Sequence, residues 1–290
     1  APPRLMADQD TPPDDIPQPI GKAPAGAPVK KKSETGDTMR FLVKLAIIVW
    51  LFRSFLFAPF SIPSESMLPR LLIGDYLFVS KWNYGYSRWS LPFGFPPIPG
   101  RVFGNAPARG DTVVFRGPPA NDHDVIKRVI GLPGDTVQMR GGVLILNGKP
   151  VPKDHLPDFI VPLTPNYGAD KCQPQFQDVQ NGKQICRYPR FRETLPGGRS
   201  YEVLDMGQTI ADDTELFTVP AGHVFLMGDN RDNSEDSRFS QASGGFGYVP
   251  MENIEGKAVV IFWSTDGSAN WFLPWTWITA TRWSRIGGGF

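Results

Sequence analysis

Cysteine and histidine are scarce in this 290-residue chain, which has two Cys (Cys172 and Cys186) and three His (His123, His155 and His223). Two Cys cannot scaffold a fold, and without a Cys-x-x-Cys pair there is no zinc signature. Three His leave little material for a Ser-His-Asp triad. An excess of one charge is also missing. Lys and Arg number 30, Asp and Glu 29, and the formal net charge is +1. That balance excludes a strongly basic nucleic-acid binder and a strongly acidic protein as whole-chain descriptions. No internal repeat appears. Proline and glycine, by contrast, are abundant at 30 residues each, about a fifth of the chain against a usual share of roughly 12%. Such a chain turns often and forms few long helices. Apolar residues make up 41%, enough for a sizeable buried core.

The composition changes along the chain. Residues 1–38 are expected to be a disordered cytoplasmic tail: the first 29 hold eight Pro and almost no aliphatic residues, too little apolar surface to offset ordering entropy. The segment FLVKLAIIVWLFRSFLFAPF (41–60) then has the length and apolarity of a bilayer-spanning helix, and a transmembrane helix is expected over 39–58. Asp37 or Thr38 can cap it and Pro59 can end it. Lys44 and Arg53 can snorkel toward the headgroups. A cleaved signal peptide and a buried core helix are the rival readings. Against the first, the segment starts some forty residues in and lacks an Ala-x-Ala site. Lys30, Lys31, Lys32 and Arg40 precede the segment, and only Arg70 follows closely. The positive-inside rule therefore places the N-terminus in the cytoplasm and the remainder outside. A disulfide between Cys172 and Cys186 fits that oxidising side; two free thiols are the alternative.

Beyond Pro63 the sequence reads as short strands separated by turns. Strands are expected at 75–81, 111–117, 124–131, 135–140, 142–151, 223–229 and 257–264, each rich in β-branched or aromatic residues. Hairpin turns are expected at Arg140-Gly141-Gly142 and Asn147-Gly148. The stretch 152–210 is Pro-rich, carries both Cys and reads as strand-poor. The fold class expected is mostly β: an antiparallel β-sheet catalytic domain over 59–264 with a smaller inserted β subdomain at about 136–222, preceded by one N-terminal transmembrane helix. Residues 265–290 form a Trp-rich segment, with Trp271, Trp275, Trp277 and Trp283 in fifteen residues. Its indole rings suit a membrane interface. A tail packed back on the domain is the alternative.

Directly after the apolar segment, Phe60-Ser61-Ile62-Pro63-Ser64-Glu65-Ser66-Met67-Leu68-Pro69 places two Ser two positions apart. By itself Ser-x-Ser is ordinary turn chemistry. A Ser nucleophile needs a base, and with His scarce the candidate is Lys, which must be desolvated to be neutral near pH 7. Lys127 lies within the apolar run Val125-Ile126-Lys127-Arg128-Val129-Ile130. A solvent-facing strand Lys is the plain alternative.

Together these features resemble the bacterial type I signal peptidase (leader peptidase) family. Five blocks match in order: the apolar anchor, FSIPSESMLP (60–69), RGDTVVF (109–115), IKRVIGLPGD (126–135) and GDNRDNSEDSR (228–238). The resemblance implies two antiparallel β domains on a membrane anchor. It also implies a serine endopeptidase that removes signal peptides after Ala-x-Ala with a Ser-Lys dyad. It assigns Ser66 as nucleophile and Lys127 as general base, with the Ser64 hydroxyl and the Ser66 N–H forming the oxyanion hole. Ser234 would orient the Lys ammonium. Asp229, Arg231, Asp236 and Arg238 would hold the site's architecture. Ile62, Met67, Leu71, Val114 and Ile126 would wall the pockets for small side chains. The implied location is the bacterial inner (plasma) membrane, single-pass, with the catalytic domain periplasmic. Signal peptides, the lipid bilayer and the translocation machinery are the partners implied; no nucleic acid, cofactor or metal is.

The chain departs from the family pattern in three places. Glu65 stands where the family usually has Gly, and Arg70 where it usually has Thr. Ser240–Gly247 forms a short insertion after Arg238-Phe239. The acidic run 228–238 does not match an EF-hand loop, lacking its Gly and interrupted by Arg. Arg109-Gly110-Asp111 introduces a strand and needs no adhesive role. Two rival functions are weighed. A self-cleaving repressor would need a DNA-binding N-terminus, which residues 1–60 lack. A non-catalytic membrane-anchored β domain of the same fold has only Glu65 in its favour.

Overall fold

The computed structural model describes residues 34–95 and 97–290. Most of the expected tail, and Lys30, Lys31 and Lys32, lie outside the described residues. One compact unit ends at Leu45 and a second runs from Ala46 to Phe290. A helix forms over Glu34–Phe55. It starts earlier than expected and stops three residues short of 58, because Phe57–Ser61 pairs as a strand with Asp75–Ser80. Pro59, expected to end the helix, instead sits in that edge strand, where a missing N–H breaks no ladder. Arg40, Lys44 and Arg53 interrupt the apolar run. Among the described residues no helix is long and apolar enough to cross a membrane.

The main sheet has seven strands in the order Phe57–Ser61, Asp75–Ser80, Ile254–Ser264, Thr112–Arg116, Asp124–Gly131, His223–Met227, Val249–Pro250. Every neighbouring pair is antiparallel. Its central strands are apolar on both faces because both are covered. Val113, Phe115 and Val129 join one cluster with Val224 and Leu226. Val114 and Ile126 join another with Leu71, Leu77 and Ile261. Each such side chain contributes about 1.5–3 kcal/mol on full burial.

Two further four-stranded sheets come from residues between Asp124–Gly131 and His223–Met227, which are themselves neighbours in the main sheet. One contains the hairpins Thr136–Arg140/Val143–Leu146 and Val143–Leu146/Lys149–Pro150. Both expected two-residue turns form there. Gly141, Gly142, Asn147 and Gly148 all have φ between +51° and +73°, as a turn matched to strand twist requires.

The stretch 152–210 is not strand-poor. It forms Lys153–Pro162, Gln177–Gln180, Lys183–Thr194 and Ser200–Leu204. Its prolines hid the strands. Pro189 interrupts the longest strand, but the ladder on one side shifts register between Leu156 and Phe159. On the other side, Gln177–Gln180 pairs up to Cys186 and Ser200–Leu204 pairs only from Arg190. The residue lacking an N–H thus falls where neither ladder needs one. Cys172 and Cys186 are joined in a disulfide, buried with Leu68, Tyr167, Tyr188 and Leu204.

The C-terminal segment forms a short helix, Trp275–Ala280, and a turn at Trp283–Arg285. Two arginines fasten it. Arg282 donates to Ser264 Oγ at 2.8 Å and to the Ile73 carbonyl at 2.6 Å. Arg285 Nε donates to the buried Asp75 carboxylate at 2.9 Å. Trp271, Phe272 and Trp283 nevertheless remain exposed.

Candidate active site

The loop after the first strand is closed at its neck by paired backbone bonds: Ile62 N–H to the Asp75 carbonyl at 2.9 Å and Gly74 N–H to the Ile62 carbonyl at 3.0 Å. Within it Leu68 N–H bonds the Glu65 carbonyl and Leu71 N–H the Met67 carbonyl, a tight turn with Ser66 at its inner side. Asn230 clamps this turn from the 228–238 segment. Its N–H donates to the Ser66 carbonyl at 3.0 Å and its side-chain amide to the Glu65 carbonyl at 3.2 Å.

Lys127 comes from the strand Asp124–Gly131 and is 3% exposed. Its Nζ donates to Ser66 Oγ at 2.5 Å. Burial lowers its ammonium from the ordinary 10.5 to about 8, against the opposing pull of Asp236 and Asp229. Ser64 Oγ lies 3.4 Å from Ser66 Oγ. None of the three His makes the corresponding contact: His123 Nδ1 pairs with Asp122 at 2.6 Å, His223 with the Ala221 carbonyl, and His155 sets its ring edge-on to Phe191. His123 does line the same cleft.

Ser234 does not make the Lys127 bond that the resemblance implies. It is 8% exposed and lines the cleft, but its hydroxyl donates to Asp236 at 2.9 Å. Asp236 is a fully buried hub. It accepts from Gly228 N–H at 3.0 Å and from Arg238 Nε and Nη2, both at 2.9 Å. Burial alone would raise its carboxyl, but the Arg238 guanidinium and these donors hold it below the ordinary range. Gly228 is obligatory here, because a Cβ would collide with Ser234 and with the Ser66 carbonyl.

Behind the hub lie two buried ion pairs, of which sequence reasoning named Asp229 and Arg231 but missed their partners. Arg128 grips Asp229 through Nε at 2.7 Å and Nη2 at 2.6 Å. Arg231 grips Glu193 at 2.7 and 2.5 Å, and Tyr201 also donates to Glu193 at 2.7 Å. Arg128 sits beside Lys127 in IKRVIGLPGD, and Asn230 lies inside GDNRDNSEDSR. Their place in those two blocks was the available signal. Glu193 offered none.

The five residues expected to wall the pockets differ in their placement. Of Ile62, Met67, Leu71, Val114 and Ile126, Ile126 lines the cleft. The other four are at most 2% exposed and pack in one apolar cluster, and Val114 also borders a second hollow with Phe60 and Lys81. Branched and long apolar side chains on the inner face gain more by packing in that cluster than by remaining accessible. The cleft itself has a volume of about 560 Å³ and is lined by Phe60, Pro63 and Ile126 together with Glu65, Asp232, Asn233 and Glu235.

Asp205, Asp212 and Asp232 bring carboxylate oxygens within 4.8 Å of one another. They are already engaged: Lys153 bonds Asp205, Thr209 N–H bonds Asp212 at 2.7 Å and Met206 N–H bonds Asp232 at 2.5 Å.

A buried amine bonded to a serine hydroxyl in an open cleft is an arrangement suited to acyl transfer. Comparison with known proteins agrees. The family profile described as signal peptidase, peptidase S26, matches residues 35–263. The signal peptidase I of Rickettsia typhi is 38% identical, covering 85% of this chain and 89% of that protein. That of Rickettsia canadensis is 36% identical, covering 89% and 93%. A solved signal peptidase I from Enterococcus faecalis V583 is 27% identical, covers 53% of this chain and 97% of its own, and superposes with a TM-score of 0.28. The chain therefore belongs to the signal peptidase family and is a serine endopeptidase that removes signal peptides.

Proposed function

We propose that this endopeptidase cuts preproteins with Ser66 as nucleophile and Lys127 as general base. The observation that carries the reading is the 2.5 Å contact between Lys127 Nζ and Ser66 Oγ, made by an amine that burial holds near pKa 8. When Lys127 is neutral the bond reverses, and the Ser66 hydroxyl donates to the amine lone pair. Ser66 Oγ attacks the scissile carbonyl and its proton moves to Lys127. Lys127 then gives that proton to the departing nitrogen as the C–N bond breaks. Water enters, loses a proton to Lys127 and attacks the acyl carbon; Lys127 returns that proton to Ser66 Oγ as the acyl–oxygen bond breaks. The Ser64 hydroxyl and the Ser66 N–H stabilise the oxyanion in both halves. Ser234 acts through Asp236, and Asp229, Arg231 and Arg238 keep the charged scaffold behind the loop in register. Phe60 and Ile126, which line the cleft, receive the small residues of Ala-x-Ala.

We further propose that the helix Glu34–Phe55 anchors the chain in the bacterial inner membrane, N-terminus cytoplasmic, with the β domain that begins at the strand Phe57–Ser61 on the periplasmic side near the translocation machinery. Phe41, Leu42, Leu45, Ile48 and Phe52 are all about half exposed, an apolar surface that water disfavours and lipid accepts. The exposed Trp271, Trp275 and Trp283 of residues 265–290 suit the outer headgroup layer.

The test is cleavage of an Ala-x-Ala preprotein by detergent-solubilised protein. Ser64→Ala is expected to lose about 10²–10³ in kcat with little change in KM, the effect of one lost oxyanion donor. His123→Ala is expected to cleave like the parent. A Ser64→Ala protein with unreduced kcat removes Ser64 from the oxyanion hole. Failure of a serine-reactive probe to label Ser66 would favour a non-catalytic β domain.

A further inference from the structure

The turn that carries the nucleophile holds a carboxylate for which the dyad has no use. Glu65, where the family usually has Gly, is half-buried and lines the cleft next to Ser66. It is held rather than free. Its Oε2 accepts from Tyr167 Oη at 3.5 Å, and Tyr167 shares a 2.7 Å bond with Tyr188. Both tyrosines are buried with Leu68 and the disulfide, so the carboxylate is braced from below. The charges that weigh most on Lys127 are those of Asp236, Asp229, Arg238 and Glu235. Glu65 faces the cleft in which a substrate would lie.

The lining of the cleft mixes the apolar Phe60, Pro63 and Ile126 with the acidic Glu65 and Glu235 and with Asn233. The small residues of Ala-x-Ala occupy positions before the scissile bond, so a long charged side chain is presented to Glu65 from the positions after it. Asp124, which also lines the cleft, is already paired with Arg116 at 3.0 Å. We propose that Glu65 is a specificity-determining residue whose carboxylate favours a basic side chain in the first three positions after the scissile bond. The inference rests on Ser66 being the nucleophile. Lys171 also attracts Glu65, with Asp170 opposing, so a substrate cation competes with Lys171 for it.

The experiment uses the full chain in detergent and preproteins that differ only by Lys, Ala or Glu at each of the first three mature positions in turn. The expected result is a Lys-over-Glu ratio in kcat/KM of about tenfold at one or more positions at low ionic strength. The ratio should fall several-fold in about 0.5 M salt, where charges are screened within a few ångströms. In Glu65→Gln and Glu65→Gly the ratio should collapse to within about twofold, and in Lys171→Ala it should grow. A parent ratio near one at all three positions, or a ratio that survives in Glu65→Gln, overturns the inference. A parent enzyme that cleaves none of the substrates, or a Ser66→Ala protein that still cleaves them, overturns the dyad assignment instead.

Discussion

Lys127→Met is expected to abolish cleavage, lowering kcat by about 10⁴–10⁶, while making the folded protein more stable at neutral pH. The two effects share one cause. In the parent, burial lowers the Lys127 ammonium from 10.5 in the unfolded chain to about 8 in the fold. Between those values the unfolded state binds more protons than the native state, so stability rises with pH across that window. Below pH 8 the full penalty, about 3 kcal/mol, is present. Met fills similar volume and carries no charge, so it relieves that cost. Urea unfolding at pH 7 should therefore show a higher midpoint for Lys127→Met than for the parent, and the difference should vanish by about pH 10. Activity follows the same titration in the same direction. The neutral amine is the base, so kcat/KM of the parent should climb about tenfold per pH unit up to about 8 and level off above it. A profile that is flat from pH 6 to 9, or a variant no more stable than the parent at pH 7, would falsify the role given to this amine.

The parts of the molecule legible in the sequence are those where local pattern decides. Asp124–Gly131 was readable to the residue because its apolar run is bounded by turn residues at both ends. The turns at Gly141-Gly142 and Asn147-Gly148 were readable because few other residue pairs tolerate φ above +50° twice in succession. Ser66 and Lys127 carried no signal singly; the order of five blocks joined them. Contacts that depend on register over long separations were not legible. Arg128 and Asp229 are 101 residues apart, Arg231 and Glu193 38 apart. Glu193 lies in a strand whose proline broke the alternation. Ile62, Met67, Leu71 and Val114 mark a different limit. An apolar residue in a motif reads the same whether it walls a pocket or fills the core beneath one; only the path of the backbone separates the two.

Asp236→Ala is expected to destabilise the fold by about 3–5 kcal/mol, the usual consequence of leaving one member of a buried ion pair alone. Asp236 is 0% exposed and Arg238 6%. With the carboxylate gone, the guanidinium loses both of its contacts at 2.9 Å, and Gly228 N–H and the Ser234 hydroxyl lose their acceptor. The pH dependence has the same sign as that of Lys127, because both groups are depressed in the fold and the unfolded chain binds more protons, but its window lies in acid. The Asp236 carboxyl is depressed in the fold, so its contribution is present above the unfolded value of about 3.9 and lost as pH falls through the folded one. The parent and Asp236→Ala should therefore converge in stability in acid. The double variant Asp236→Leu/Arg238→Met separates structure from catalysis. Removing both charges should restore most of the urea midpoint, but not activity, because Ser234 and Gly228 remain without the carboxylate that positions them. Asp236→Asn keeps the shape and tests the electrostatics. Asp236 is the strongest of the charges holding Lys127 protonated. The pH–rate profile of whatever fraction folds should accordingly move to lower pH. An unshifted profile would mean that burial alone sets the amine, and a loss below about 1 kcal/mol in Asp236→Ala would mean that water reaches this cluster after all.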